Sequence, residues 1–160
     1  MVSFIQPERI FEGVTAIDPQ ADIVAGGYRC VFLDIDNTIR SRETGKVPLD
    51  VLVWMRDVLD AGVMLCLLSN NWHDNVFALA DELGLPVVAK AMKPLPFGYK
   101  AALKQMRISA GQALAIGDQL STDIWGAHGA GIAAYLVEPL SQTDLKHTVL
   151  VRKIERALLK

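Results

Sequence analysis

The chain has 160 residues, of which 51% are hydrophobic and 21% charged, and its formal net charge is −2. This composition excludes intrinsic disorder, and the length predicts one domain spanning residues 1–160 rather than two. The slight acidic excess argues against a nucleic-acid partner, whose binding domains carry a basic surplus on one face. No apolar run reaches the roughly 20 residues of a membrane-spanning helix, and the N-terminal residues lack the order of a signal peptide. We therefore expect a cytoplasmic protein.

Five continuous apolar runs predict strands that are covered on both faces. They are Cys30–Ile35, Val63–Leu68, Val87–Ala89, Ala113–Ile116 and Ile132–Val137. Segments with helical periodicity lie between these runs, and prolines and glycines mark several of their ends. These helices are expected between Pro48 and Gly62, across Val76–Leu83, across Tyr99–Met106 and, more briefly, across Thr122–His128.

This alternation predicts right-handed βαβ crossovers and a Rossmann-like, three-layer α/β/α fold with a mostly parallel five-stranded sheet. The first 25 residues stand outside the pattern. A last helix, at about 148–160, carries apolar residues on one face and basic residues on another. It is expected to pack on the sheet with the basic face in solvent, or else to touch anionic lipid.

Two carboxylates directly follow the first predicted strand, in Asp34-Ile35-Asp36-Asn37-Thr38. Acids so close to a buried run are partly desolvated, which is unfavourable unless a cation or hydrogen-bond donors balance their charge. A divalent metal ion would do so. Alone, however, a short pair of aspartates also occurs in simple turns.

Polar residues also follow the next two runs. Ser69-Asn70-Asn71 offers a hydroxyl and amides that can donate to phosphate oxygens or simply cap a helix. After the third run, Lys93 can return a cation to the same edge of the sheet, and Lys90 is the alternative. On spacing alone, such a lysine is as often merely exposed.

The fourth run leads into Gly117-Asp118-Gln119-Leu120-Ser121-Thr122-Asp123, which adds two aspartates at the end of a strand. Ligands of open α/β sheets bind beyond the carboxyl ends of the strands, at a topological switch point. The four segments are therefore expected to meet at one site.

In this order and spacing, DIDNT, SNN, KP and GDQLSTD resemble the four motifs of the haloacid-dehalogenase-like (HAD) phosphohydrolases, over roughly Cys30 to Val137. Within that superfamily, LDIDNTI, AMKP and GDQLSTDIWGAHGAG are most similar to the YqeG-type HAD IIIA phosphatases, which in turn resemble phosphatidylglycerophosphate phosphatase. One departure is Ala127-His128-Gly129, where similar sequences often carry Gly-Asn-Arg. His128 is expected to be a helix-end or packing residue.

The resemblance implies a Mg²⁺-dependent phosphatase. Asp34 would be the nucleophile that forms an aspartyl-phosphate, and Asp36 the general acid and then the general base. Mg²⁺ would be held by Asp34, by the backbone carbonyl of Asp36 and by Asp118. Asp123 would support the metal shell or orient Lys93.

The same resemblance implies how the phosphoryl group is bound. Ser69 and Asn70 would donate hydrogen bonds to its oxygens, and Lys93 would neutralise charge on the nucleophile and on the phosphoryl group. Thr38 would shape the loop after the nucleophile.

Members of the superfamily usually enclose small substrates with an inserted cap domain, and here neither usual interval has room for one. An open site suits a phosphate on something large, such as a lipid headgroup, and then peripheral contact with a membrane. Alternatively, a neighbouring subunit of a homo-oligomer covers the site and the substrate is a small soluble phosphate ester.

Two other classes of protein remain as alternatives. A phospho-accepting receiver module has a similar length and clustered aspartates, but it places its phosphorylated aspartate after the third strand, where this chain has none. A catalytically silent binding protein is the other alternative, although all the expected reactive groups are present.

Overall fold

The computed structural model describes residues 4–140, and its centre is a single sheet of six parallel strands. The strands are β1 (Arg9–Phe11), β2 (Cys30–Leu33), β3 (Met64–Leu68), β4 (Val87–Val88), β5 (Ala113–Gly117) and β6 (Ala133–Val137). Their order across the sheet is β1-β6-β5-β2-β3-β4. The chain runs outward from β2 in both directions, so the switch point lies beside β2. The predicted α/β fold is thereby confirmed.

The sixth strand corrects the predicted count of five, and it comes from the N-terminal residues that stood outside the pattern. β1 pairs with β6 in parallel, and Phe11 lies opposite Val137. It is three residues long and half exposed at the sheet edge, so it shows no continuous apolar run. The segment after it buries Val14, Ile17 and Ile23 completely. The N-terminal region is therefore part of the core.

Within residues 4–140, four α-helices cover the sheet, and three of them match the predicted segments. They are α1 (Leu49–Asp60), α2 (Asp74–Leu83), α3 (Phe97–Met106) and α4 (Trp125–Gly129). Gly84 ends α2 with a left-handed backbone, φ 66°, which glycine adopts without steric cost. The fourth helix begins at Trp125 rather than Thr122, because a π-helical turn over Leu120–Ile124 comes first.

Two apolar cores lie on the two faces of the sheet. Alternate residues of each strand point to opposite faces, so Val31 and Leu33 join α1 and α2 in one core while Phe32 joins α3 and α4 in the other. Cys30 and Cys66 are free thiols in the second core, and burial raises the pKa of each to about 12. The sheet is covered on both faces, as the continuous apolar runs predict.

The two connections from β2 to β3 and from β3 to β4 contain no inserted cap domain. A loop and α1 join β2 to β3, and α2 alone joins β3 to β4. Over residues 4–140, no helix has both the length and the apolarity needed to cross a membrane. The predicted helix at about 148–160 lies outside the described residues.

Candidate active site

Four of the strand–helix junctions meet in one polar cleft of about 120 Å³ at the carboxyl edge of the sheet. All the predicted site residues except Thr38 line it. The lining residues are Asp34, Asp36, Arg42, Ser69, Asn70, Asn71, Lys93, Asp118, Gln119, Thr122 and Asp123. The cleft thus contains the side chains of all four motifs, although these are up to 89 positions apart (Asp34 to Asp123). A larger groove between the N-terminal segment and α1 contains none of them.

The loop after β2 holds the first carboxylate in place. The Asp34 backbone N–H donates to Ile116 O on the neighbouring strand, at 3.0 Å. The Thr38 hydroxyl donates to Asp34 Oδ2 at 2.9 Å and lies 3.5 Å from Asp118 Oδ1. Thr38 is buried behind the cleft, and it connects the carboxylates that follow β2 and β5.

Lys93 is a buried cation between two carboxylates. Its Nζ lies 2.9 Å from Asp34 Oδ1 and 2.6 Å from Asp123 Oδ1. Burial by itself would lower the pKa of Lys93, but the charges of Asp123 and Asp34 outweigh this effect and hold the pKa well above its usual value. Lys90 instead extends over the ring of Trp72, with 5.7 Å between Nζ and the centroid. Of the two candidate lysines, therefore, Lys93 is the one inside the cleft.

Asp123 is the most desolvated of the site's carboxylates. Burial and the nearby charge of Asp34 raise the pKa of Asp123 to about 6, although Lys93 opposes the shift. Its two oxygens are used by Lys93 Nζ and, at 3.1 Å, by the backbone N–H of Gln119. A Cβ added to Gly117 would lie within 2.5 Å of three Asp123 atoms. The absence of a side chain at Gly117 is thus what lets Asp123 reach under the cleft.

Asn70 holds the backbone of Lys93. Its Nδ2 donates to Lys93 O at 3.1 Å, and its Oδ1 accepts from Lys93 N at 2.7 Å. The nearby Ser69 Oγ accepts from the backbone N–H of Asn71 at 3.1 Å, so the Ser69 O–H can still donate into the cleft. The structure thus gives Asn70 a positioning contact that motif spacing did not reveal.

Three carboxylates form a cluster suited to a divalent cation. Asp34, Asp118 and Asp123 each offer one oxygen, and these oxygens lie within 4.8 Å of one another. Hard cations such as Mg²⁺ prefer carboxylate oxygen ligands, so the donor set fits this metal. Both oxygens of Asp34 and both of Asp123 already accept hydrogen bonds, so hydrogen bonding does not rank these two as ligands. The Asp36 carboxylate does not belong to the cluster.

Asp36 is instead paired with an arginine that the sequence did not single out. Arg40 Nη2 donates to Asp36 Oδ1 at 3.0 Å, and the Arg40 side chain is largely buried. The backbone of Asn37 has a left-handed conformation, φ 63°, and its N–H donates to Arg40 O. This turn brings Arg40 back beside Asp36. Four-residue spacing within the motif was the available signal for the pair.

His128 lies away from the cleft. Its Nδ1 is 2.6 Å from Phe4 O, and its Nε2 is 3.0 Å from both carboxylate oxygens of Glu8. The residue attaches α4 to the N-terminal segment, as expected for a packing role.

The parallel sheet and the carboxylate-lined cleft are typical of phosphohydrolases, and comparisons with known proteins point to the same class. The family described as HAD-hydrolase-like matches residues 91–151. The Bacillus subtilis (strain 168) protein named Probable phosphatase YqeG is 26% identical over 156 residues, covering 98% of this chain and 90% of the relative. The chain is similar to HAD-like hydrolases over residues 91–151 and to this phosphatase over most of its length, which agrees with the resemblance of its motifs.

Two solved structures share the fold. The cobalt-bound deoxy-D-mannose-octulosonate 8-phosphate phosphatase of Haemophilus influenzae has a TM-score of 0.54 at 13% identity, over 84% of this chain and 88% of that one. CbbY of Rhodobacter sphaeroides, solved with phosphate, has a TM-score of 0.50 at 16% identity, over 74% and 90%.

Proposed function

We propose that this chain is a Mg²⁺-dependent phosphomonoester hydrolase that works through an aspartyl-phosphate on Asp34. The observation that carries the proposal is the position of Lys93, whose Nζ lies 2.9 Å from Asp34 Oδ1 inside a cleft lined by carboxylates. A phosphohydrolase needs this combination of an oxygen nucleophile and a nearby cation, because its transition state concentrates negative charge on phosphoryl oxygens. The HAD-like family and the named phosphatase relative support the same enzyme class.

In the first step, a carboxylate oxygen of Asp34 attacks phosphorus, and the bond from phosphorus to the ester oxygen breaks. Asp36 gives its proton to the departing alkoxide, which leaves as an alcohol. Lys93 and the Ser69 O–H stabilise the phosphoryl oxygens. Asn70 keeps Lys93 in position through its two backbone contacts.

In the second step, the Asp36 carboxylate removes a proton from water, and the water oxygen attacks phosphorus. The bond between phosphorus and Asp34 breaks, which releases inorganic phosphate and restores the free carboxylate of Asp34. Asp34, Asp118 and the backbone carbonyl of Asp36 would hold Mg²⁺, which would supply electrostatic stabilisation of the phosphoryl group.

A lipid phosphate such as phosphatidylglycerophosphate is the proposed substrate. The cleft is only about 120 Å³ and is lined by polar side chains, so it accommodates a phosphoryl group rather than a whole organic phosphate. Over residues 4–140, no inserted domain covers it. The remainder of the substrate then lies outside the cleft, where a headgroup on a bilayer surface can present itself. Such an enzyme would be cytoplasmic and peripheral to the membrane.

Hydrolysis of p-nitrophenyl phosphate with and without Mg²⁺ tests the proposed chemistry. We expect phosphate release that EDTA abolishes, Mg²⁺ restores, and Asp34→Asn eliminates. Asn75→Ala, at an exposed position on α2, is a control that should leave the rate unchanged. Activity that persists in Asp34→Asn would refute the assignment of Asp34 as the nucleophile. A correctly folded preparation that releases no phosphate from any monoester would refute the enzyme class.

A second assay tests the substrate separately. Phosphatidylglycerophosphate in mixed micelles and a panel of sugar and nucleotide phosphates are compared at equal concentrations. We expect the lipid to have the highest kcat/KM. Faster turnover of a soluble ester would overturn the lipid assignment and leave the reaction intact.

A further inference from the structure

Five large apolar side chains that lie within a few positions of cleft-lining residues in the chain are exposed to solvent. Trp72 is 59% exposed, Met92 50%, Leu95 46%, Phe97 62% and Trp125 49%. Solvent exposure of so many aromatic and large aliphatic side chains on neighbouring loops marks an interaction surface rather than ordinary surface composition. We call these five residues and Lys90 the rim.

Contacts between the loops make the rim continuous. The Lys90 ammonium lies 5.7 Å from the centre of the Trp72 ring, and the Leu95 N–H donates to Met92 O at 2.9 Å. At the other end, a Cβ added to Gly126, next to Trp125, would lie 3.3 Å from Pro94. The loop of residues 90–97 therefore connects both tryptophans.

The rim is attached to the catalytic cleft through Lys93. The Lys93 side chain is buried and reaches Asp34, whereas Met92 and Leu95 on the same loop are exposed. A phosphoryl group in the cleft thus leaves the rest of its molecule close to the rim.

The segment that carries most of the rim is positively charged, although the whole chain is slightly acidic and the cleft is lined by aspartates. Residues 83–117 contain no Asp or Glu, and they include Lys90, Lys93, Lys100, Lys104 and Arg107. On α3, Phe97, Lys100 and Lys104 occupy positions i, i+3 and i+7, which share one side of a helix. All three are exposed. On this side of α3, the aromatic Phe97 is therefore followed by two cationic side chains, Lys100 and Lys104.

We propose that the rim docks onto the surface of an anionic lipid bilayer, an inference that rests on the proposed function and deepens it. Tryptophan side chains favour the water–lipid boundary, and the apolar side chains would enter the acyl region beneath it. Lysines with apolar stems would reach the anionic headgroups. Docking in this way brings the open cleft to lipid-borne phosphate.

The charge pattern favours lipid over a second copy of the chain. A two-fold symmetric contact places the same patch on both partners, so it would bring the lysines of one rim close to those of the other. An anionic bilayer instead offers the opposite charge over the whole patch.

Tryptophan fluorescence of the full chain reads the docking directly. Vesicles of phosphatidylcholine with about 30% phosphatidylglycerol, which have a negative surface potential, are compared with vesicles of phosphatidylcholine alone. We expect a blue shift and co-sedimentation with the anionic vesicles. Trp72→Phe/Trp125→Phe should abolish the shift, because the remaining Trp54 is buried.

Two further variants test the apolar and cationic parts of the surface. Leu95→Ser/Phe97→Ser and Lys100→Glu/Lys104→Glu should each weaken binding to anionic vesicles about tenfold or more. Leu49→Ser/Val53→Ser is the matched control, since it removes two exposed apolar side chains from α1, on the opposite face of the sheet. It should bind like the wild type.

Hydrolysis of soluble p-nitrophenyl phosphate separates the two proposals. Rim variants that retain this activity but lose vesicle binding support the docking surface. A wild-type protein that is active but does not bind anionic vesicles would overturn the docking surface alone. So would a concentration-dependent dimer that Leu95→Ser/Phe97→Ser dissociates. A wild type that binds vesicles but hydrolyses no monoester supports the surface and overturns the enzyme.

Discussion

Asn70 and Lys93 are joined by two hydrogen bonds, each between the amide side chain of Asn70 and the backbone of Lys93. Oδ1 accepts from Lys93 N at 2.7 Å and Nδ2 donates to Lys93 O at 3.1 Å. The pair fixes the loop from which the Lys93 ammonium reaches Asp34. The loop after β3 and the loop that carries Lys93 are thereby joined directly.

Asn70→Ala should lower kcat/KM about 30-fold, because it removes both contacts and lets the buried ammonium move. Steady-state hydrolysis of p-nitrophenyl phosphate measures the effect. Asn70→Asp, which keeps the acceptor for Lys93 N, should lose less activity. Equal activity of Asn70→Ala and wild type would show that the two hydrogen bonds from Asn70 to the Lys93 backbone are not needed for activity.

Arg40 positions the proposed acid/base Asp36, to which it is bound at 3.0 Å. Arg40→Ala should reduce kcat about tenfold with KM within about twofold, because Arg40 acts through Asp36 rather than on the substrate. Arg40→Lys, which retains one charged donor, should recover part of kcat. A raised KM at unchanged kcat would mean that Arg40 contacts the substrate instead.

Lys93→Met should abolish activity and also change how stability depends on pH. In the wild type, the raised pKa of Lys93 keeps its stabilising charge present through neutral pH, and this contribution is lost only as pH rises through that pKa. Without the ammonium, Asp34 and Asp123 remain together with no cation between them, which costs about 3 kcal/mol. Protonation of Asp123, whose pKa is already about 6 in the wild type, relieves this cost as pH falls.

Urea unfolding of Lys93→Met and wild type at pH 8 and pH 5, both in EDTA, measures this difference. The deficit in the free energy of unfolding should be smaller at pH 5. A deficit that is constant or grows toward pH 5 would contradict the assigned charge states.

Cys30 and Cys66 should resist thiol reagents in the folded protein. Both are fully buried, and burial raises the pKa of each thiol to about 12, so the reactive thiolate is scarce at pH 8. A colorimetric thiol assay should detect reaction only at the rate of unfolding, and both thiols should react at once in denaturant. Rapid labelling under native conditions would refute their burial.

The main architecture was predictable because parallel strands buried on both faces are continuous apolar runs in the sequence. Five of the six strands are continuous apolar runs, and several helix ends lie near proline or glycine. β1 was not predictable, since it is short and half exposed and is defined by pairing with β6, more than a hundred residues away.

The site was predictable in its composition and less so in its contacts. Spacing placed Asp34, Lys93 and Asp118 at one sheet edge, where the structure has them. Whether Lys93 or Lys90 turns inward depends on tertiary packing, and so does the use of Asn70 to hold a backbone. The four-residue spacing of Asp36 and Arg40 was the available signal for their ion pair, but the left-handed turn at Asn37 that brings them together does not follow from the spacing.

The most direct test of the account is chemical trapping of the covalent intermediate during turnover with Mg²⁺. Acid quenching followed by borohydride reduction converts an acyl-phosphate to an alcohol, and peptide mass spectrometry locates the converted residue. The account predicts homoserine at position 34 in the wild type and no conversion in Asp34→Asn. Efficient phosphate release with the conversion at another aspartate, or with none at all, would contradict it.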